Sequence, residues 1–214
     1  MSLFRPGGLE LTKKAADFIG LKNGDRVLDI GCGLGGSLIF LRDSYGIVPF
    51  GADIEPATAE KAKAALGTDC VICADACRLP FDEESFDAIF MECVLTLIPE
   101  PVKALREAKR VLSPGGFLVI SALEGGKGSL VEEGRICRAE LERFLEGMGF
   151  ELCASFDETA SLRDFVAEII FRYDSIARYI EAANAELGGS VLLCGVPPKG
   201  TGYMLMLAKK ELHS

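Results

Sequence analysis

The sequence is poor in histidine, the side chain that enzymes use most often for proton transfer, and it has no long apolar run. Its 214 residues include no tryptophan and one histidine, His213. Because His213 stands next to the end of the sequence, histidine catalysis and histidine-rich metal sites are almost excluded. No apolar stretch approaches the roughly 18 residues that a membrane-spanning helix requires. We therefore expect no membrane partner and no histidine-based chemistry.

Positive charge is also scarce. The chain has 23 lysines and arginines against 32 acidic residues, which gives a net charge of -9. An acidic surface repels the phosphates of nucleic acids and of anionic lipids. We therefore expect a small-molecule partner and no nucleic-acid partner. The length predicts one domain over residues 1–214, as a monomer or a homodimer.

Cysteine, by contrast, is abundant, with eight residues, at positions 32, 70, 73, 77, 93, 137, 153 and 194. The first residues lack the apolar run of a signal peptide, so we expect a cytoplasmic protein with reduced thiols. Cys70, Cys73 and Cys77 have a spacing that resembles a metal-binding fragment. However, a strand would place Cys70 and Cys73 on opposite faces, and no fourth ligand is near. We predict no metal site and interpret these three thiols as structural.

Strands and helices are predicted to alternate along the first half of the chain. The predicted strands are 26–30, 48–54, 70–74, 85–91 and 117–123, and the predicted helices are 9–20, 36–45, 56–66 and 101–112. This alternation indicates a mostly parallel α/β sheet with helices on both faces. A helix over 138–148, a strand over 150–156 and an antiparallel last strand over 203–209 complete seven strands.

An apolar stripe with helical spacing occupies residues 158–187, before the last strand. A single helix of this span would be too long for a small domain, so we predict two helices that break near Asp174 and Ser175. This helical insert packs on the sheet, covers the active site as a substrate lid, or forms a dimer contact. Its residues Arg163, Arg172 and Arg178 are candidates for binding an anionic ligand.

A glycine-rich turn follows the first predicted strand, with glycines at positions 31, 33, 35 and 36. Such glycines permit positive φ and a close approach to a ligand at the start of a helix. The turn fits the dinucleotide fingerprint, with Asp53 at the end of the next strand, so an NAD(P)-dependent reductase is one interpretation. Asp29 argues against it, since a carboxylate beside a pyrophosphate is repelled. A ligand with a cationic amino group and no phosphate suits Asp29 better.

The segment from Val27 to Gly35 resembles the first motif of class I S-adenosylmethionine-dependent methyltransferases of the small-molecule, type 11-like kind. Later landmarks follow in the family's order: Gly51-Ala-Asp-Ile54, Ala74-Asp-Ala76 with Leu79-Pro-Phe81, Glu92-Cys-Val94, and Leu105 to Gly116. The resemblance is strong over 25–123 and weaker over 135–156 and 201–209. It implies a Rossmann-like fold whose cofactor-binding core is 25–123, preceded by an N-terminal cap helix within 1–24.

The resemblance also implies which residues bind S-adenosylmethionine. They are Asp29, Gly31, Cys32, Gly33 and Gly35 in the first motif, Asp53 and Ile54 at the ribose, Asp75 and Ala76 at the adenine, and Glu92 where cofactor and substrate meet. Simpler roles remain open for three of them. Asp53 is also suited to cap the helix that starts near Pro56, Asp75 to form a turn, and Glu92 to be a solvated acid.

Methyl transfer from a sulfonium requires alignment of the reactants and exclusion of water more than it requires a catalytic dyad. Any general base would be Asp, Glu, Tyr or Cys, and the best-placed candidates are Glu92, Cys93 and Thr96, with Glu124 as a further one. In the N-terminal cap, Arg5 is a candidate to meet a carboxylate of cofactor or substrate.

Two other functions remain open. A protein that binds S-adenosylmethionine without catalysis is compatible with the lack of an obvious base. An arsenite methyltransferase, which would use Cys32, Cys93, Cys137, Cys153 and Cys194, is a minor alternative.

Overall fold

A computed structural model describes residues 5–187 and 200–212 of the chain. Cys194 and His213, which the sequence analysis singled out, lie outside the described residues. No helix within the described ranges is both long and apolar enough to span a bilayer.

The first half alternates strands and helices as predicted. After α1 (Gly8–Ile19), the chain forms β1 (Arg26–Ile30), α2 (Gly36–Tyr45), β2 (Val48–Asp53), α3 (Pro56–Leu66), β3 (Val71–Cys73), β4 (Phe86–Glu92), a 3-10 turn (Leu95–Leu97), α4 (Pro101–Val111) and β5 (Leu112–Glu124). The second half contains β6 (Val131–Glu132), β7 (Arg135–Ile136), α5 (Arg138–Gly147), β8 (Phe150–Asp157), α6 (Thr159–Tyr173), α7 (Ile176–Leu187) and β9 (Gly202–Lys210).

Seven main strands form one mixed sheet, in the order β3-β2-β1-β4-β5-β9-β8. The first five strands are parallel, and β9 runs antiparallel to both β5 and β8. The predicted Rossmann-like sheet with an antiparallel last strand is thus confirmed. The structure adds a short hairpin, β6–β7, which joins the carboxyl end of β5 through the pair Glu124 and Ile136.

The sheet is buried on both faces, which explains why its central strands are almost continuously apolar. On one face, α4 packs Ala104, Leu105 and Ala108 against residues of β1, β4 and β5. On the other face, α1 packs Leu11 and Ala15 against a second cluster. The carboxyl ends of β1, β2 and β4 therefore meet at one edge between these layers, where ligands of such folds bind.

The helical insert consists of two helices that separate where the sequence predicted. Asp174 adopts φ +61° and ends α6, and α7 begins two residues later. Leu162 of α6 belongs to the cluster that covers the sheet, whereas Ile169, Tyr179 and Ala183 form a small core between α6 and α7. The insert therefore packs on the sheet through the start of α6 and extends away from it beyond that point.

The third predicted strand is shorter than expected. Strand β3 covers only Val71–Cys73, so Cys70 lies outside it and the alternation argument does not apply to that residue. Cys73 is exposed and Cys77 is buried. Among the residues that the structure describes, no group of three His, Cys, Asp or Glu side chains is arranged to hold a metal ion.

Candidate functional site

The glycine turn joins β1 to α2 at the carboxyl edge of the sheet. Gly31, Gly33 and Gly35 adopt φ of 73°, 54° and 77°, a region that favours glycine. A Cβ atom on Gly31 would lie 2.4 Å from Cγ2 of Val94, whereas one on Gly33 would meet nothing within 4 Å. Gly31 is therefore required by packing, and Gly33 borders open space in which a ligand fits.

Two predicted acids hold turns at this edge. Asp53 accepts hydrogen bonds from the backbone N–H of Gly33 at 2.9 Å and of Glu55 at 3.0 Å. Asp75 accepts one from the backbone N–H of Cys77 at 2.8 Å. The helix-cap interpretation of Asp53 was wrong, because Glu55 occupies the N-cap position of α3 and no side chain caps it. Each carboxylate retains free lone pairs for a ligand.

The neighbours of these acids differ in exposure. Ile54, which follows Asp53, exposes 66% of its surface beside the turn. Ala76 is half-buried and packs against the main core. An exposed apolar side chain at the edge of a glycine turn is a suitable surface for a flat ring.

Asp29 is a buried acid beside the glycine turn. It exposes 4% of its surface, and no hydrogen bond to its carboxylate is found among the described residues. Burial raises the pKa of Asp29 well above its ordinary value, and the negative charges of Glu92 and Asp53 raise it further, while Arg5 lowers it. A buried acid without donors attracts a cationic ligand group that restores its charge.

Glu92, at the end of β4, is at the centre of a buried polar cluster. It accepts hydrogen bonds from Arg5 Nη2 at 2.7 Å, from Ser37 Oγ at 2.9 Å and from Thr12 Oγ1 at 3.2 Å. Arg5 also donates to Thr12 and Ser37. The interpretation of Glu92 as a solvated acid was therefore wrong. Sequence reasoning missed Thr12 and Ser37, for which no sequence signal exists.

Arg5 meets a carboxylate, as the sequence suggested, but the carboxylate belongs to the protein. The guanidinium is 7% exposed, and its Nη1 atom is buried with no hydrogen-bond partner among the described residues. A buried unpaired donor is costly, so such an atom indicates a missing partner.

Cys93 follows Glu92 in a strained conformation, with φ +59°. Its sulfur lies 3.0 Å from the hydroxyl of Tyr203, which also lies 3.0 Å from Ser121 Oγ. Burial raises the pKa of Tyr203 well above its ordinary value, so this phenol stays neutral. Thr96 lies on the 3-10 turn after Cys93, and its Oγ1 is buried without a partner among the described residues.

The remaining candidates are three thiols and Glu124. Burial raises the pKa of the Cys32 thiol well above its ordinary value, and the negative charges of Asp29 and Asp53 raise it further. Cys32 therefore stays protonated. Cys137 precedes α5, and Cys153 lies on β8. Glu124 is not available as a base, because Arg138 Nε donates to it at 2.7 Å.

A cavity of about 890 Å³ lies between the start of α1 and the helices α6 and α7. Arg5 and Lys14 line one side of it, and Phe165, Ile169 and Tyr173 line the other. Two of the three arginines that the sequence suggested for an anion already have acidic partners. Arg172 pairs with Glu168 at 2.6 Å, and Arg178 pairs with Asp174 at 2.7 Å.

Residues 28–120 match the family model described as a methyltransferase domain. The chain is 30% identical to 27-O-demethylrifamycin SV methyltransferase of Amycolatopsis mediterranei, over 94% of this chain and 82% of that protein. It is 28% identical to phosphoethanolamine N-methyltransferase 1 of Triticum aestivum, over 85% of this chain. The chain spans only 36% of the length of that wheat relative.

Solved structures share the fold. The [4+2]-cyclase SpnF is 26% identical, with a TM-score of 0.74 over 96% of this chain and 82% of that chain. Phosphoethanolamine N-methyltransferase 2 of Haemonchus contortus in complex with S-adenosyl-L-methionine has a TM-score of 0.75 at 21% identity, over 98% of this chain and 54% of that one. Because the identity to the Haemonchus contortus protein is only 21%, this similarity shows a shared fold and nothing more.

Proposed function

We propose that this chain, which belongs to the class I S-adenosylmethionine-dependent methyltransferases, transfers a methyl group from that cofactor to a small-molecule acceptor. When bound, the cofactor supplies a methyl group on a positively charged sulfur. The acceptor attacks the methyl carbon, and the sulfur leaves in line with that attack. The protein must hold the two reactants and exclude water.

The observation that carries this proposal is Asp29. It is a buried carboxylate without a described donor, directly before the glycine turn. A dinucleotide phosphate would be repelled there, whereas the ammonium of the cofactor's amino-acid end gives Asp29 an ionic partner. Gly33 adds to the fit, because the space beside it has room for a ligand at the start of α2.

The other residues of the turn and its neighbours have matching roles in the proposal. Gly31, Cys32, Gly33 and Gly35 shape the turn. Asp53 accepts hydrogen bonds from the ribose hydroxyls, with Ile54 against a ring. Asp75 and Ala76 border the adenine. Their support is that Asp53 and Asp75 lie at strand ends with lone pairs still free.

Residues 1–214 form one methyltransferase domain in this proposal. Segment 1–24 covers the cofactor site, and 158–187 forms the lid over the acceptor. Two observations support this division: Arg5 and Thr12 of the first segment contact Glu92 at the end of β4, and a cavity lies between the first segment and the insert. Glu92 holds Arg5, Thr12 and Ser37 in place, and Cys93 and Thr96 follow it at the carboxyl end of β4 as the other candidates for contact with the reactants.

Calorimetric titration with S-adenosylhomocysteine and with NAD tests the cofactor. We expect S-adenosylhomocysteine to bind and NAD not to bind. Asp29→Asn is expected to weaken binding about tenfold or more, because an ionic hydrogen bond is lost. Asp43→Asn is the matched control, since Asp43 pairs with Arg42 on the surface. Binding of NAD alone, or unchanged affinity in Asp29→Asn with both variants folded, would contradict the proposal.

A further inference from the structure

We infer that the methyl acceptor is a small carboxylic acid, which Arg5 binds as its carboxylate at the inner end of the cavity between α1 and α6–α7. The inference rests on the proposed function, because it names the acceptor for that transfer. It depends on three features of the described residues, namely an unpaired buried donor, an adjoining cavity with one apolar wall, and possible bases at the strand ends that are paired or protonated.

The first feature is the Arg5 guanidinium. Its Nη2 atom is committed to Glu92 at 2.7 Å, while Nη1 is buried and has no partner among the described residues. Arginine cannot shed its proton, so the missing partner has to be an acceptor group. Because Nη1 belongs to a charged guanidinium, a carboxylate is a stronger hydrogen-bond acceptor for it than a neutral oxygen is.

The second feature is the position of Arg5 relative to the cavity. Arg5 lines the cavity, whereas none of its other described lining residues comes from the glycine turn, Asp29 or Asp53. Arg5 is therefore the residue that links Glu92, at the end of β4, to this cavity. Nη1 is buried, so a ligand reaches it only if the backbone near Arg5 rotates; Gly7 and Gly8, which follow Arg5 with φ of 73° and 49°, permit such a rotation because they are glycines.

The cavity walls suit the rest of such an acid. Phe165, Ile169 and Tyr173 provide apolar and aromatic surface. Carboxylates also line the cavity, but Glu158 and Glu168 pair with Lys14 and Arg172. Asp164 and Glu10, the other two, are exposed, and water screens them. Glu92 offsets the charge of Arg5, so the attraction for an anion comes from the unpaired Nη1 donor, which water does not screen.

The third feature is the state of the possible bases. Glu92 accepts hydrogen bonds from three side chains, and Glu124 is paired with Arg138. Burial keeps Tyr203 neutral, and the Cys93 thiol is bonded to it. Asp29 serves the cofactor in the proposed function. An acceptor that is already an anion at neutral pH requires none of them.

The chemistry balances without a proton transfer. One carboxylate oxygen gives an electron pair to the methyl carbon, and the carbon–sulfur bond breaks with its pair remaining on sulfur. The carboxylate and the sulfonium lose their opposite charges together. The products are a neutral methyl ester and a neutral thioether, and no oxidant or reductant takes part.

Binding to the protein saturated with S-adenosylhomocysteine tests the inference. The probes are 3-phenylpropionate, 3-phenylpropanamide, 3-phenyl-1-propanol and 3-phenylpropylamine, which share one apolar body. We expect the acid to bind about tenfold or more tightly than the other three. Arg5→Met is expected to remove this preference, Arg5→Lys to restore part of it, and Arg178→Met, a paired surface arginine, to leave it unchanged. Equal binding of the four probes, or a preference for the amine, overturns the inference.

Methyl transfer provides the second measurement. With radiolabelled methyl donor and mixed small carboxylic acids, alkali should release the incorporated label as volatile methanol, the signature of an ester. Label that is stable to alkali overturns the inference and leaves the methyltransferase proposal intact. If Arg5→Met weakens S-adenosylhomocysteine itself, Arg5 binds the cofactor's carboxylate, and the inference fails. If S-adenosylhomocysteine does not bind the wild type, the proposed function fails instead.

Discussion

The buried ion pair between Arg5 and Glu92 leads us to predict that the folded state loses much of its free energy of unfolding when one partner is removed. Their side chains are 7% and 3% exposed, and their closest atoms are 2.7 Å apart. The substitution Glu92→Gln removes one charge and leaves Arg5 with no full counter-charge in a buried place. Breaking such a pair from one side costs about 3–5 kcal/mol. A domain has a free energy of unfolding of only about 5–15 kcal/mol, so this loss is a large share of it.

Urea denaturation followed by circular dichroism measures the loss. Glu100→Gln is the control, because Glu100 is 65% exposed and lies 3.4 Å from Lys103. Exposed pairs contribute at most about 1 kcal/mol, so the control should remain close to the wild type. If Glu92→Gln loses no more than Glu100→Gln, the ion pair is not an energetic feature of the folded state and the reasoning is refuted.

The double variant Arg5→Met, Glu92→Met separates charge from packing. Replacing both partners with apolar groups removes the uncompensated charge, and such replacements are often nearly neutral. Thr12 and Ser37 then lose their acceptor, at a cost of about 1 kcal/mol each. We expect the double variant to be more stable than Glu92→Gln alone. A double variant that is less stable than the single one would show that hydrogen bonding, and not charge, dominates the cluster.

Three further predictions concern Asp29, the glycine turn and Lys210. Burial raises the pKa of Asp29 in the folded state above its ordinary value of 3.8. As the pH rises past that value, the unfolded state loses this proton before the folded state does, so the free energy of unfolding falls. Asp29→Asn should flatten that decline in unfolding experiments from pH 4 to pH 8, and equal slopes for the variant and the wild type would argue against it. Gly31→Ala should lower the free energy of unfolding about 1–3 kcal/mol more than Gly33→Ala does. Both substitutions place a Cβ atom on a residue with positive φ, but only the Cβ at position 31 would lie 2.4 Å from Val94. Similar urea midpoints for the two variants would contradict this. Lys210 is 6% exposed, and its ammonium donates to the carbonyl of Leu112 at 2.6 Å. Lys210→Met should therefore lower the free energy of unfolding by about 1–3 kcal/mol in the same assay. An unchanged free energy would mean that water replaces the ammonium as the donor.

Much of the first half of the fold was predictable because residues close together in the sequence determine where its helices and strands begin and end. Helix α3 has the predicted bounds, with Pro56 at its start and Gly67 in the left-handed conformation at its end. Strand β1 also has its predicted bounds, because charged and turn residues flank a short apolar run. These residues determine their own backbone conformation, so they are visible without knowledge of distant contacts.

Elements that depend on a distant partner were harder to predict. The hairpin β6–β7 has strands of two residues, too short for any periodicity, and it pairs with the sheet at a single position of β5. Strand β3 is short because only three of its residues pair with β2. In both cases pairing across the sheet, and not intrinsic preference, sets the length.

The same limit explains why the role of Glu92 stayed open until the structure was known. Its partners Thr12 and Ser37 are 80 and 55 positions away in the chain, and Cys93 meets Tyr203 across 110 positions. No local pattern in the sequence relates such residues. The motif identified the strand end, but the hydroxyls and the guanidinium that bury Glu92 come from helices and strands that reach this edge only after folding.

Three other features at this edge of the sheet lower stability. An acid with a raised pKa at Asp29, a left-handed Cys93 and an unpaired Nη1 on Arg5 each destabilise the folded chain. The apolar clusters on both sheet faces offset them, since they lie directly behind the same strand ends. Such unfavourable features persist where a ligand relieves them. We therefore expect cofactor and acceptor together to raise the stability of the chain more than either alone, because Asp29 and Arg5 require different partners.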